Sequence, residues 1–112
     1  MNGLARGHIL MILACATCYA ALTGANAQDF SKWESEIAAF EQSDKTNPPP
    51  KEGILFIGSS GIRKWQTLAA DFPGQPVINR GFGGSQIADS THFATRIIFP
   101  YHPRLIVFRA GK

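Results

Sequence analysis

Ile54-Leu55-Phe56-Ile57-Gly58-Ser59-Ser60-Gly61 is the stretch on which the reading of this chain turns. Four consecutive apolar residues between Gly53 and Gly58 lack the alternation of a half-solvated strand. They fit a short strand covered on both faces, as in a parallel sheet. Residues 62 to 71 then return to helical spacing through Ile62, Trp65, Leu68 and Ala69, and Phe72-Pro73-Gly74 closes the segment. Strand, tight turn and helix succeed one another in that order, which puts Ser59 and Ser60 at the carboxyl end of a buried strand.

The same grammar recurs downstream. Val77-Ile78-Asn79 is a second short apolar segment leading into Gly81-Phe82-Gly83-Gly84, and residues 86 to 97 read as a helix through Ile87, Phe93 and Ile97. After Pro100 and Pro103, Leu105-Ile106-Val107-Phe108 is a third strand of the buried type, ended by Gly111. Upstream, Phe30, Trp33, Ile37 and Phe40 step by three and four along residues 29 to 43, the face of an amphipathic helix. Asn47-Pro48-Pro49-Pro50 cannot continue that helix, because proline lacks the N–H donor and clashes with the preceding turn. Repeated strand-then-helix units predict an α/β fold: a three-layer α/β/α, flavodoxin-like, doubly wound parallel sheet, of which this chain holds the N-terminal half. Ligands of such sheets sit beyond the carboxyl ends of the strands.

Residues 1 to 27 read as an export signal: Arg6, an apolar run from Ile9 to Ala14, and the small-residue exit Ala25-Asn26-Ala27. The run is interrupted by Thr17, Cys18 and Thr23 and falls short of the roughly 20 residues a spanning helix needs. Gln28 is then expected to begin a secreted or periplasmic chain with no stable membrane insertion. Ile12-Leu13-Ala14-Cys15 resembles a lipobox, behind a very short apolar stretch. Both cysteines, Cys15 and Cys18, fall in this leader, so no disulfide is expected to support the chain from Gln28 onward. The expected organisation is a signal peptide over 1–27, an N-terminal helix and Pro-rich connector over 28–52, and a partial catalytic domain over 53–112.

With 112 residues, 45% hydrophobic and 17% charged, the chain has the balance of a globular protein and room for one domain at most. Its net charge of +3 comes from singly scattered basic residues. Such scatter gives no sign of a nucleic-acid interface.

A serine in Gly58-Ser59-Ser60-Gly61 has two readings. It caps the next helix, which serine does well. Alternatively it projects from the top of the sheet, where the helix start offers free N–H groups to an oxyanion. The stretch is not an α/β-hydrolase elbow, because Ile62 stands where Gly-x-Ser-x-Gly needs its last glycine. It is not a phosphate-binding loop, since no Gly-Lys-Ser/Thr comes after it, and Gln86 spoils a dinucleotide fingerprint at Gly81-Phe82-Gly83-Gly84. Two glycine-rich turns after neighbouring strands still place backbone amides at one sheet edge, as a shared anion site requires.

Ile54 to Trp65, Asp71-Phe72-Pro73 and Asn79 to Ser85 together resemble a bacterial branch of the SGNH (GDSL-like) hydrolases, a likeness running from about Trp33 to Lys112. The resemblance implies a serine esterase acting on small-molecule or polysaccharide esters, short-acyl or O-acetyl, without a metal or other cofactor. It carries the family nucleophile onto Ser60, with Ser59 in place of the more usual aspartate and Gly61 in place of a frequent third serine. It assigns the main-chain oxyanion donors to Ser60 and Gly84. The family's oxyanion asparagine is expected directly after Lys112, and its Asp-x-x-His block further on, so this chain is expected to be an inactive fragment of the enzyme. A truncated remnant or an anion-binding fragment is the alternative. His92 and His102 are expected to be structural or surface residues, Trp65 a core residue, Arg63 a helix-surface ion pair and Arg80 a loop contact, with recognition of an acidic or acetylated substrate the alternative for the two arginines.

Overall fold

In the computed structural model, which describes residues 28–110, the quoted stretch forms strand β1 over Ile54–Gly58 and enters a one-turn helix, α2, over Ser60–Arg63. The leader expected over residues 1–27 lies outside the described residues, as do Gly111 and Lys112. A 3-10 turn at Ser31–Trp33 leads into helix α1, Glu34–Thr46, which precedes β1. Helix α3 (Leu68–Asp71), strand β2 (Val77–Gly81), helices α4 (Ile87–His92) and α5 (Ala94–Ile97), a 3-10 turn at Phe99–Tyr101 and strand β3 (Leu105–Arg109) complete the order. The result is an α/β domain around a three-stranded parallel sheet in the order β2-β1-β3.

The central strand dictates the packing. Ile54 stands opposite Val77 and Leu105, and Gly58 opposite Gly81 and Arg109, so all three strands end level. Successive side chains of a strand point to opposite faces. Leu55, Ile57 and Ile78 accordingly join Ile37, Phe82, Phe93, Ala94, Ile97, Ile98 and Tyr101 in one cluster. Ile54, Phe56, Val77 and Val107 join Ile62, Trp65, Leu68 and Phe72 in another. This two-sided burial is the reason β1 is apolar at every position from 54 to 57. Each fully buried side chain such as Leu55 or Ile97 contributes about 1.5 to 3 kcal/mol.

Two of the expected helices are broken. The helical spacing of 62–71 is divided between α2 and α3 by a turn at residues 64–67. That turn lets the Trp65 ring pack on Phe56 and Phe72 while its Nε1–H donates to Asp71 Oδ2 at 2.6 Å. Thr67 Oγ1 shares that carboxylate at 2.8 Å, and the two bonds hold the Asp71 carboxyl below its ordinary value. The segment 86–97 is interrupted at Phe93, whose backbone (φ −91, ψ 3) leaves the helical range as its ring meets Phe30 and Phe82.

Helix α1 packs into the first cluster through Ile37, with Phe30, Trp33 and Phe40 alongside. Polar contacts fasten it at further places. Asp44 pairs with Arg80 at 2.6 Å and accepts the Tyr101 hydroxyl, and the Arg80 guanidinium lies between the Phe40 and Tyr101 rings. Arg80 is thus a buried residue of β2 and not a loop contact. Burial, aided by the bond to Asp44, pushes the Tyr101 phenol up. Arg96 of α5 pairs with Glu34 at 2.8 Å and also with Glu41.

The two outer strands differ at their edges. On β2, Asn79 Oδ1 accepts the Gly81 N–H at 2.9 Å and the Asn79 carbonyl accepts Arg80 Nη1–H at 2.8 Å, so side chains occupy main-chain groups there. On β3, Leu105, Ile106 and Phe108 are 53%, 46% and 41% exposed, and no strand pairs with its outer edge among the described residues. An unpaired strand edge with exposed apolar side chains is a template for further pairing. The isolated 112-residue chain is therefore expected to self-associate, and the double variant Ile106→Lys, Phe108→Lys to shift sedimentation toward monomer. A wild-type monomer that unfolds in one cooperative transition would contradict this.

A pH dependence arises from Arg96, whose hydrogen bonds hold the Glu34 and Glu41 carboxyls below their ordinary 4.5. With folded values lower than unfolded ones, this contribution is complete above the unfolded pKa and disappears as pH falls through the folded values. The difference in thermal midpoint between wild type and Arg96→Gln, measured by tryptophan emission at low protein concentration, should shrink below about pH 4. A gap constant across that range would show that the pairs do not hold α1.

Candidate active site

Three strand ends converge on the Gly58-Ser59-Ser60 turn. Gly58 has φ +147, and a Cβ there would stand 1.9 Å from the Arg109 carbonyl oxygen of β3. Ser59 N–H donates to that same carbonyl at 3.2 Å. On the other side, the Gly58 carbonyl accepts the Phe82 N–H at 3.0 Å and the Ser85 hydroxyl at 3.1 Å. These bonds bring the glycine turn after β2 onto the serine turn after β1, so the neighbourhoods of Ser60 and Gly84 meet at the carboxyl edge of the sheet.

The serines do not cap the helix with their hydroxyls. Ser59 occupies the N-cap position of α2 without a side-chain cap bond, while its carbonyl accepts the Ile62 and Arg63 N–H groups at 3.0 and 3.1 Å. Ser60 is exposed at the first helical position. Among the described residues, its hydroxyl and its N–H have no hydrogen-bond partner. Gly84 is likewise exposed, its N–H has no partner among the described residues, and nothing lies within 4 Å of where its Cβ would be. Two free amides and one free hydroxyl at the same edge can receive an oxygen that gains negative charge, provided donors and oxygen come within hydrogen-bond distance.

Several residues around these turns have partners that no local pattern in the sequence announces. Ser85 is 3% exposed and ties the glycine turn to Gly58. Glu36 of α1 accepts the Gly83 N–H at Oε2 (3.0 Å) and pairs with Arg63 Nη1 at 3.4 Å. Arg63 therefore bonds across to α1 and not along its own helix. Asn79, the last polar residue before Arg80 and the glycine turn, donates to the Ile62 carbonyl at 2.7 Å and so fastens α2 to β2. The Arg109 guanidinium would lie 3.6 Å from a Cβ on Gly61, an ordinary contact that a serine at that position would also make.

The histidines are placed elsewhere. His92 stacks on Phe30 with ring centroids 3.9 Å apart. His102 sits in left-handed conformation (φ 45) at the amino end of β3, the opposite end of the sheet from Ser60. Among the described residues, no group of three His, Cys, Asp or Glu side chains is arranged to hold a metal, and no helix is long and apolar enough to cross a membrane. A hollow of about 570 Å³, lined by Glu36, Phe40, Arg63, Trp65, Gln66 and Asn79 among others, opens beside the turns without including Ser60 or Gly84. Its Glu36, Arg63 and Asn79 side chains are engaged with one another or with the backbone.

No family model matches the chain, and no match is found among curated proteins or solved structures.

The two glycines of the paired turns should respond oppositely to a methyl group. Gly58→Ala meets both a disfavoured φ and the Arg109 carbonyl, and should cost about 3 kcal/mol or more, enough to deplete the folded protein. Gly84→Ala meets open space and keeps its N–H, so stability should change by about 0.5 kcal/mol or less. Chemical denaturation of the two variants would decide; equal losses would mean that the turn geometry is not as described.

Proposed function

We propose that this chain is the amino-terminal part of an exported serine ester hydrolase of the SGNH type, built on a three-layer, flavodoxin-like doubly wound sheet. The observation that carries the proposal is the Ser60 hydroxyl at the carboxyl end of the central strand, without a hydrogen-bond partner among the described residues, on a turn that the Gly58 carbonyl ties to the turn carrying the likewise unpartnered Gly84 N–H. Family resemblance supplies the roles. Strand order β2-β1-β3 supports the fold, because its direction of growth reverses at β1, and ligands of doubly wound sheets bind at such a reversal.

In this reading the Ser60 oxygen attacks the carbonyl carbon of a short-acyl or O-acetyl ester on a small molecule or polysaccharide. The carbonyl electrons move onto oxygen, and the Ser60 and Gly84 amides stabilise that charge, each donor contributing roughly 3 kcal/mol. Collapse of the tetrahedral intermediate expels the alcohol and leaves the acyl group on Ser60, from which water releases the acid. A general base must take the serine proton and pass it to the departing alcohol. His102 lies at the opposite end of the sheet, and His92 is stacked on Phe30 with no hydrogen bond to Ser60 among the described residues. The reading assigns that task to an Asp-x-x-His block beyond Lys112, and a third oxyanion donor to an asparagine immediately after Lys112. No metal or organic cofactor takes part in it.

A polypeptide extending through those blocks should hydrolyse p-nitrophenyl acetate, and Ser60→Ala should lower kcat by roughly 10⁴-fold or more. Ser59→Ala should keep most of the activity. Full activity in Ser60→Ala combined with its loss in Ser59→Ala would move the nucleophile by one residue. Absence of activity in every variant would favour a noncatalytic anion-binding role for the same turns.

A further inference from the structure

The glycine turn holding Gly84 is intrinsically loose. Two successive glycines have far more backbone freedom than other residues, and Gly83 adopts φ +44. The direction of the Gly84 N–H depends on the Gly83–Gly84 peptide plane, which must be held from both sides to keep the donor aimed. On the far side, Ser85 is tied through its hydroxyl to the Gly58 carbonyl and through its N–H to the Phe82 carbonyl at 3.3 Å. On the near side, the tie comes from outside the sheet. Glu36 Oε2 accepts the Gly83 N–H at 3.0 Å, and the Trp33 ring fills the space of a Gly83 side chain, where a Cβ would stand 1.9 Å from the indole. The other oxygen of Glu36 faces Arg63, one turn beyond Ser60 in α2.

We propose that Glu36 is a positioning residue that fixes the Gly84 amide relative to Ser60 by bridging the glycine turn and the serine helix. It touches neither substrate nor reacting atoms. Its action runs through the Gly83 N–H, a bond strengthened by the carboxylate charge. The Arg63 arm is the lesser one, because its side chain is 50% exposed and the pair spans 3.4 Å. The catalytic consequence rests on the esterase reading above, whereas the ordering of the turn does not.

The test compares Glu36→Ala and Glu36→Gln, with exchange measured on the chain itself and kinetics on a polypeptide extended through the Asn and Asp-x-x-His blocks that the esterase reading calls for. An aimed oxyanion donor acts in the transition state more than on bound ester. Glu36→Ala should therefore lower kcat for p-nitrophenyl acetate about tenfold or more while KM stays within about twofold. Glu36→Gln retains an amide oxygen able to accept the Gly83 N–H and should stay within about threefold of wild type. Hydrogen exchange over Phe82–Ser85 should accelerate about tenfold in Glu36→Ala, with β1 and α1 protected as before. Unchanged exchange over Phe82–Ser85 in Glu36→Ala overturns the proposal, as does an unchanged kcat in an active enzyme, or equal loss in Ala and Gln variants. Locally faster exchange in a protein that never hydrolyses the ester would uphold the clamp and reject the esterase reading.

Discussion

The carbonyl of Gly58 is the point on which the architecture depends. It accepts the Phe82 N–H and the Ser85 hydroxyl, so the loop after β2 is fastened to the end of β1 by a single peptide group, beyond the ladder that pairs the two strands. Acceptance of two donors uses both lone pairs and leaves this buried oxygen satisfied. The same residue makes room for β3, because its missing Cβ is what lets the Arg109 carbonyl approach and take the Ser59 N–H. A side chain at position 58 would separate β1 from β3 at the end where the exposed groups cluster. The glycine ending the apolar run is thus more than a strand terminator.

Helix α1 and the turn before it supply the second constraint. Ile37 is fully buried in the first cluster, Asp44 reaches the buried Arg80, and Glu34 and Glu41 reach Arg96. Trp33 and Glu36 meet Gly83 directly. This helix therefore touches the sheet, the α5 segment and the glycine turn, and its polar face is bound to the rest of the domain no less than its apolar one. Replacing one partner of the Arg80–Asp44–Tyr101 group would strand the others in a poorly hydrated site, which is costlier than losing an exposed pair.

Strand β1 is legible in the sequence because burial on both faces leaves a residue-by-residue mark from Ile54 to Ile57, whereas Leu105 to Phe108, expected as a strand of the buried type, forms a strand that is largely exposed. The helices are legible only in part. Spacing identifies the buried residues Ile62, Leu68, Phe93 and Ile97 correctly, but it does not register that Trp65 and Phe93 pack best when the helix is interrupted at or near them. Arg80 is misread from sequence for a related reason, since a lone arginine in a short strand gives no hint of an acid thirty-six residues earlier that accompanies it inward. The partners of Glu36 and Ser85 are invisible to sequence reading, as they lie forty-seven and twenty-seven residues away and no local pattern encodes such pairs. Ser60 and Gly84 stand out because glycine-rich turns after buried strands are themselves a local pattern.

Whether a serine at this turn caps a helix or remains available for chemistry depends on which backbone groups are already served. An N-cap hydroxyl stabilises a helix by accepting one of its first free N–H groups. In α2, the Ile62 and Arg63 N–H groups are taken by the Ser59 carbonyl, and the next, Lys64, by the Ser60 carbonyl. Few orphan donors are left for a serine hydroxyl to serve. The N–H of Ser60 itself cannot bond its own hydroxyl in good geometry, so it stays open toward the sheet edge. Local hydrogen-bond accounting therefore leaves the Ser60 amide and hydroxyl free, while Gly58, Ser85 and Glu36 hold the second turn alongside. Those free groups are the physical reason to look for a ligand between Ser60 and Gly84.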